Sequence, residues 1–278
     1  MKKFMAATAL SLLVAGCFPW QRPETLKKHT DMDAALAKPD AVQYVHLYDR
    51  GLTRYPETLA RFPGLVKLSL RKNPMGTLPP DIGDLTGLIW LDMGQCGLTG
   101  LPDEFGRLAA LRRLWLNDNA LAEWPAALSD LTRLEYLNLD RNRLAALPDN
   151  VKGLRDMKWL RLSGNALTRI PAAIGALSGL ERLYLANNKI ESVPDTLGEL
   201  SALTDMDLSE NQLTALPDSL TRLTNLRHLD VQGNRLKALP SDLSGLRNLT
   251  RLRLERNPLP PEEKERVKAA LEGCTILF

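Results

Sequence analysis

The hydrophobic pattern of the chain repeats every 23 residues from Val42 onward, in nine complete copies and a tenth partial copy. Apolar residues, mostly leucine, occupy positions 1, 4, 6, 11, 14, 18 and 21 of each copy. In the fifth copy these are Leu134, Leu137, Leu139, Leu144, Leu147, Val151 and Leu154. A fixed period of this length predicts a solenoid, in which each repeat packs only on its two neighbours.

Three kinds of position predict the path of the chain within a repeat. Positions 4 and 6 point to one side of an extended segment, so a short strand buries pairs such as Leu183 and Leu185 while positions 3, 5 and 7 face outward. Proline at position 15 of all nine complete copies, from Pro56 to Pro240, favours a coil or short helical turn on the opposite side. Position 9 carries asparagine, which can both donate and accept hydrogen bonds where the chain turns. These asparagines are Asn73, Asn119, Asn142, Asn165, Asn188, Asn211, Asn234 and Asn257.

The spacing L-x-x-L-x-L-x-x-N-x-L resembles the leucine-rich-repeat family over roughly residues 42–278. Cys96 replaces asparagine in the third copy and matches the usual alternative of the family, whereas Arg50 in the first copy indicates an end repeat open to solvent. The resemblance implies an α/β fold: a right-handed leucine-rich-repeat solenoid with short helical caps. A parallel strand ladder forms its concave face, and coil or 3-10 turns form its convex face.

Segments at both ends of the repeats are predicted to cap the solenoid, which itself covers residues 42–259. Residues 30–41 combine a helix start near Thr30 and Asp31 with a stop at Pro39, and resemble a short N-terminal cap. Residues 260–278 begin with two prolines and acidic residues, which predicts a capping helix. The apolar end from Cys274 to Phe278 resembles the last strand that closes many bacterial repeats of this type. No segment is left for a second domain.

The first seventeen residues resemble a bacterial lipoprotein signal. Lys2 and Lys3 precede an apolar run that ends in Ala-Gly-Cys at Cys17. The resemblance implies cleavage after the signal peptide at residues 1–16, acylation of Cys17 and a lipid anchor in a bacterial envelope, with residues 17–29 as a membrane tether. Phe18, where an aspartate would favour the inner membrane, makes the outer membrane the expected location. An ordinary signal peptide with an incidental cysteine is the alternative.

Net charge and cysteine content bear on the possible partners of the protein and on the source of its stability. Loss of residues 1–16 removes two lysines and no acidic residue, so the formal charge falls from +3 to +1. This near-neutral balance argues against a nucleic-acid partner. Cys96 and Cys274 are too far apart along the predicted ladder to form a disulfide, so the leucine core must supply the stability. We expect a monomer without a cofactor.

Outward positions concentrate the aromatic residues: seven of the ten tryptophans and tyrosines fall at positions 3, 5 or 7, with arginines among them. Trp, Tyr and Arg dominate binding hot spots, so the middle of the concave face is the predicted ligand-binding surface. The alternative is that these rings only stack on cross-strand neighbours. The candidate residues are Tyr44, Tyr48, Trp90, Arg113, Trp115, Tyr136, Trp159, Arg161, Arg182 and Tyr184.

The same face becomes acidic toward its C-terminal end, at Asp205, Asp207 and Asp230, which suits a basic partner segment. These carboxylates lack the closely spaced loop of a calcium site, so no metal is predicted. The three histidines fall in distant segments, and no nucleophile-base set or phosphate loop occurs, so no enzyme activity is expected. The sequence therefore predicts a non-catalytic module that binds a protein or peptide. Adhesion, or a structural envelope protein that binds peptidoglycan or another glycan, is the alternative.

Overall fold

The structure, a computed structural model, describes residues 26–278. Within these residues, twelve short strands form one parallel sheet in chain order, which confirms the predicted solenoid. The strands are β1 Lys28–His29, β2 Tyr44–His46, β3 Lys67–Ser69, β4 Trp90–Asp92, β5 Arg113–Trp115, β6 Tyr136–Asn138, β7 Trp159–Arg161, β8 Arg182–Tyr184, β9 Asp205–Asp207, β10 His228–Asp230, β11 Arg251–Arg253 and β12 Thr275–Leu277.

Strand register follows the repeat without slippage. Leu137 of β6 lies between Leu114 of β5 and Leu160 of β7, and all three are fully buried. Each buried leucine contributes about 1.5–3 kcal/mol of stabilisation by removal from water. Because every repeat has the same length, each outward position forms a straight column across the sheet. We call the surface formed by positions 3, 5 and 7 the concave face.

The asparagines at position 9 hold the turns together, as the sequence predicts. The side-chain Nδ2 of the fully buried Asn73 donates to the carbonyl oxygens of Leu47 and Leu70, both at 2.7 Å. Its Oδ1 accepts from the backbone N–H groups of Arg50 at 2.9 Å and Leu52 at 3.0 Å. Each such asparagine links its own repeat to the preceding one by hydrogen bonds that water cannot replace.

The residue at position 8, just before the asparagine position, adopts a left-handed backbone in every repeat, which the sequence does not reveal. Its φ lies between 54° and 70°. Only two of the ten residues are glycine, so most of these turns place an L side chain where it is sterically disfavoured. The residues are Asp49, Lys72, Gln95, Asp118, Arg141, Gly164, Asn187, Glu210, Gly233 and Arg256.

The convex side consists of coil and short 3-10 helices. Eight of these helices follow the proline at position 15 directly, because its fixed φ suits a helix start. Each buries one apolar side chain at position 18, such as Leu59 or Ile174. The 3-10 helices are Pro39–Ala41, Glu57–Arg61, Pro80–Asp84, Asp103–Arg107, Ala126–Asp130, Asp149–Gly153, Ala172–Ala176, Asp195–Glu199 and Asp218–Arg222.

Short helices cap the sheet at both ends. Helix α1, Met32–Leu36, starts after Asp31, whose carboxylate accepts from the N–H groups of residues 33 and 34. Helix α2, Pro261–Ala270, is joined to the ninth repeat by Glu263, which accepts from the N–H of Leu239 at 2.8 Å. Strand β12 pairs with β11 beyond this helix.

Lys28 and His29 correct one sequence-based expectation. The sequence placed them in the tether, but they form β1 and pair in parallel with β2. The predicted signal peptide, Cys17 and residues 17–25 of the tether lie outside the described residues. Among residues 26–278, no helix has the length and apolar character that crossing a membrane requires.

Candidate functional site

A column of alternating cations and rings crosses the N-terminal half of the concave face. Strand pairing places the position-3 residues of neighbouring repeats side by side, starting from Lys28 on β1. Rings and cations continue along the column to β8, after which an aspartate and a histidine follow. In order, the column contains Lys28, Tyr44, Lys67, Trp90, Arg113, Tyr136, Trp159, Arg182, Asp205 and His228.

Four rings form a continuous run in the middle of this face. Trp115 projects from position 5 and lies between Trp90 and Tyr136, with ring centroids 4.8 Å and 4.7 Å away. The centroids of Tyr136 and Trp159 are 5.9 Å apart. The rings are tilted by 35° to 56° relative to one another, and each is half-buried. Burial also raises the pKa of the Tyr136 phenol. We call Trp90, Trp115, Tyr136 and Trp159 the aromatic run.

Cations from the chain lie against the rings at both ends of the run. The Lys67 ammonium is 4.5 Å from the ring centroids of both Tyr44 and Trp90. At the other end, the Arg182 guanidinium lies 4.3 Å from the Trp159 ring, and Arg161 lies 5.0 Å from the Tyr184 ring. Such contacts contribute roughly 0.5–2 kcal/mol each, so they hold the side chains in fixed positions.

Two of the three arginines predicted to bind a ligand form salt bridges with carboxylates of the chain. Arg161 donates to the buried Asp140 at 2.7 Å, and Arg182 lies 3.6 Å from Asp205. Arg113 has no salt bridge within the described part of the chain. Its pKa is lowered chiefly by burial. The three arginines therefore differ in how readily they can engage a ligand.

Tyr48 lies apart from the aromatic run, near the N-terminal edge of the sheet. It stacks on His46, with ring centroids 6.2 Å apart, and 43% of it is exposed. Burial lowers the pKa of His46, and the charges of Lys28, Lys67 and Arg50 lower it further. This edge is therefore electropositive.

The predicted aspartates lie together at the C-terminal end of the same face, among basic side chains that include Arg251 and Arg253. Tyr184, Asp205, Asp207, His228 and Asp230 contribute to the lining of a shallow cleft of about 260 Å³. Asp205 accepts a hydrogen bond from the His228 ring at 2.7 Å, and Arg253 pairs with Asp230 at 2.8 Å. Burial raises the pKa of Asp230, and the nearby Asp207 raises it further. Residues 26–278 contain no group of histidine, cysteine and acidic side chains placed to hold a metal ion.

The structure brings the predicted site residues onto one face but adds residues that the sequence interpretation missed. Lys28 and Lys67 belong to the position-3 column, and Asp140 fixes Arg161. Lys67 could have been recognised from its position in the second repeat. Lys28 could not, because no repeat pattern precedes Val42. The rings do stack across strands, so the packing interpretation of the aromatic residues describes a real part of their environment.

Comparison with known proteins agrees with this geometry. The family model for the leucine rich repeat matches residues 132–190, 178–236 and 203–259. Residues 132–259 thus carry leucine-rich repeats, and the fold is a leucine-rich-repeat solenoid. No curated protein matches the sequence significantly.

Several solved structures share this fold. An internalin of Listeria monocytogenes is 22% identical, with a TM-score of 0.76, covering 90% of this chain and 71% of the internalin. A Toll–Spätzle complex from Drosophila matches at 26% identity and a TM-score of 0.77, covering 86% of this chain and 33% of the matched chain. The HAESA ectodomain of Arabidopsis, in complex with the peptide hormone IDA, matches at 29% identity and a TM-score of 0.68, covering 78% and 38%. Our chain thus spans about a third of these two receptor chains.

Proposed function

We propose that the protein is a lipid-anchored, non-catalytic module of a bacterial envelope that binds a protein or peptide on its concave face. The observation that carries this proposal is the aromatic run, with the flanking cations of Lys67, Arg161 and Arg182. Half-buried rings beside fixed cations offer apolar area, polar edges and charge within one surface. These are the features of protein-binding hot spots.

Two structural relatives support a protein or peptide ligand. The Toll structure contains Spätzle, and the HAESA structure contains a peptide hormone. These ligands belong to those proteins. For our chain they favour a polypeptide partner over a small molecule, in agreement with an open face whose cleft is shallow.

In-cell crosslinking followed by mass spectrometry tests the binding face. We expect specific protein adducts with the wild type that disappear when Trp90, Trp115 and Trp159 are together replaced by alanine. Trp124→Phe is the matched control, because Trp124 is buried outside the concave face and donates to Ser129. Circular dichroism must show that both variants are folded.

The outcomes distinguish protein binding from the alternatives. Protein adducts that persist in the triple variant contradict the proposed face. Retention on peptidoglycan or another glycan that depends on the tryptophans, with little effect of salt, indicates a structural or adhesive envelope protein. A protein ligand that also requires Arg113, Arg161 and Arg182 should instead weaken as salt increases.

Acylation of Cys17 requires a separate test. We expect mass spectrometry of the native protein to show an N-terminal Cys17 carrying acyl chains, and membrane fractionation to place it with the outer membrane. Two or more chains anchor a protein stably, whereas one binds reversibly. Cys17→Ser should abolish both the acyl modification and cleavage after residue 16, and an unmodified Cys17 in the native protein contradicts the anchor.

A further inference from the structure

Strands β1 to β5 carry a strict alternation of cations and rings at position 3. Lys28, Lys67 and Arg113 lie on alternate strands, and Tyr44 and Trp90 lie between them. We call these five side chains the cation–ring column. It crosses the strands at right angles, so a ligand along it must contact successive repeats.

The three cations of this column lack carboxylate partners. None of them forms a salt bridge with another residue between 26 and 278. The charge of Glu135 raises the pKa of Arg113, but Glu135 forms its salt bridge with Arg112. Asp92, at position 5 of β4, is only 9% exposed and accepts from the N–H of Gly94.

The positive charges of the column act on one another at Lys67. The pKa of Lys67 is lowered first by burial and then by the charges of Arg113 and Lys28. Lys67 is held between two rings, 4.5 Å from each, so it cannot move away without losing both contacts. An anionic ligand would relieve this repulsion.

The spacing of the cations selects one ligand conformation. Neighbouring strands lie about 4.8 Å apart, so the Cα atoms of the residues that carry these cations, on alternate strands, are about 9.6 Å apart. A polyproline II helix returns to the same side every three residues, or about 9.3 Å. Side chains on one side of a β-strand recur every ~6.7 Å, and i,i+7 positions of an α-helix lie ~10.5 Å apart. Over the two intervals from Lys28 to Arg113, the length of the polyproline II helix differs from that of the column by only about 0.6 Å, and the length of the α-helix differs by about 1.8 Å.

We propose that the cation–ring column binds an acidic, proline-rich segment of a protein partner in the polyproline II conformation, with a carboxylate at every third residue. This inference rests on the proposed protein-binding function and specifies its ligand. Carboxylates meet Lys28, Lys67 and Arg113, while the intervening prolines pack on Tyr44 and Trp90. Aromatic surfaces suit polyproline II ligands because these are already ordered before they bind.

The far end of the concave face limits where such a segment can lie. Asp205, Asp207 and Asp230 are on β9 and β10, about four to five strand spacings beyond Arg113. Arg182 and Arg253 offset the charges of Asp205 and Asp230, but Asp207 has no salt bridge within residues 26–278, so an acidic ligand is favoured over the N-terminal half of the face.

Tryptophan fluorescence titration of the full chain with synthetic peptides tests the proposal. The matching probe is a capped twelve-residue peptide with four Glu-Pro-Pro units. A peptide of identical composition, with two Glu-Glu-Pro-Pro-Pro-Pro units, keeps the charge but loses the spacing. A peptide with four Lys-Pro-Pro units reverses the charge. We expect saturable binding of the first peptide, at least tenfold weaker binding of the second and none of the third.

Lys67→Gln should weaken binding of the matching peptide about tenfold or more, as expected for loss of a charge-assisted contact. Lys237→Gln is the control, because Lys237 is exposed at position 12, away from the concave face. The proposal is overturned by equal binding of the two acidic peptides, by an unchanged Lys67→Gln variant, or by no binding up to about 1 mM peptide. Crosslinked adducts that depend on the tryptophans would still support the general binding function in each of these cases.

Discussion

Asn142→Ala provides a quantitative test of the asparagine ladder. Asn142 lies in the fifth repeat, and its Nδ2 donates to the carbonyl oxygens of Leu116 at 2.9 Å and Leu139 at 3.0 Å. Its Oδ1 accepts from the N–H of Leu121 at 3.2 Å. Alanine removes all three bonds in a region where water cannot replace them, since Asn142 is only 8% exposed.

The bonding of neighbouring repeats sets the size of the effect. Each of the two carbonyl groups keeps a second partner, because Asn119 donates to the first and Asn165 to the second. Only the buried N–H of Leu121 is left without a partner. One orphaned donor costs about 1–3 kcal/mol and each lost hydrogen bond about 1 kcal/mol, so we expect Asn142→Ala to destabilise the protein by about 3–5 kcal/mol.

Cys96 supplies the matched control at the equivalent position of the third repeat. Its thiol lies 3.3 Å from the carbonyl oxygen of Leu70 and 3.6 Å from that of Gly94, and its sulfur also accepts from the backbone N–H groups of Asn73 and Lys72. Because sulfur is a weaker donor and acceptor than an amide, Cys96→Ala removes weaker bonds than Asn142→Ala and should cost about 1–2 kcal/mol. Urea denaturation monitored by circular dichroism measures both values. If Asn142→Ala costs no more than Cys96→Ala, the proposed role of the asparagine ladder is wrong.

Three further predictions concern convex packing, a surface ion pair and the C-terminal cap. Gly198→Ala should destabilise by about 3 kcal/mol or more, because its Cβ would collide with a backbone carbonyl of the next repeat, whereas Gly100→Ala should stay within about 0.5 kcal/mol in the same urea assay. Arg141 holds the pKa of Asp118 below its usual value. This pair therefore stabilises the fold above pH 3.8 and loses its effect as the pH falls through the lower pKa of the folded state. Arg141→Gln should raise the Asp118 pKa in a carboxyl NMR titration. An unchanged pKa would contradict the pairing. Glu263→Ala removes the buried acceptor at the cap, so amide exchange should accelerate in the ninth repeat but not in the fifth.

The repeat pattern was sufficient to predict the architecture because each signal repeats and each copy confirms the others. The period-2 alternation predicted which residues are buried, such as Leu114 and Leu137. Proline at position 15 predicted the absence of long convex helices, since its ring and its missing N–H act in the same way in every copy. Regular spacing also placed the aromatic residues on one face.

Features that depend on a single copy, or on backbone geometry alone, were not predictable. Strand β1 lies before the first repeat, so no period marks Lys28 as a strand residue. The left-handed position 8 holds seven different residue types, from Gly164 to Arg141, so composition gives no sign of it. Glu263 reads as an ordinary acid in the first turn of a helix, yet it accepts from Leu239 24 residues earlier. Such contacts exist only once the chain has folded.

The aromatic run shows why packing and binding are not competing explanations for these rings. A side chain that must be immobilised by a ligand costs about 0.5–1.5 kcal/mol of entropy at the moment of binding. Trp90, Trp115, Tyr136 and Trp159 already contact one another across strands, so most of that cost is met during folding. For four rings the saving is about 2–6 kcal/mol, enough to strengthen binding more than tenfold. Cross-strand stacking therefore favours a binding role for this face, because it prepares the surface that a ligand would need.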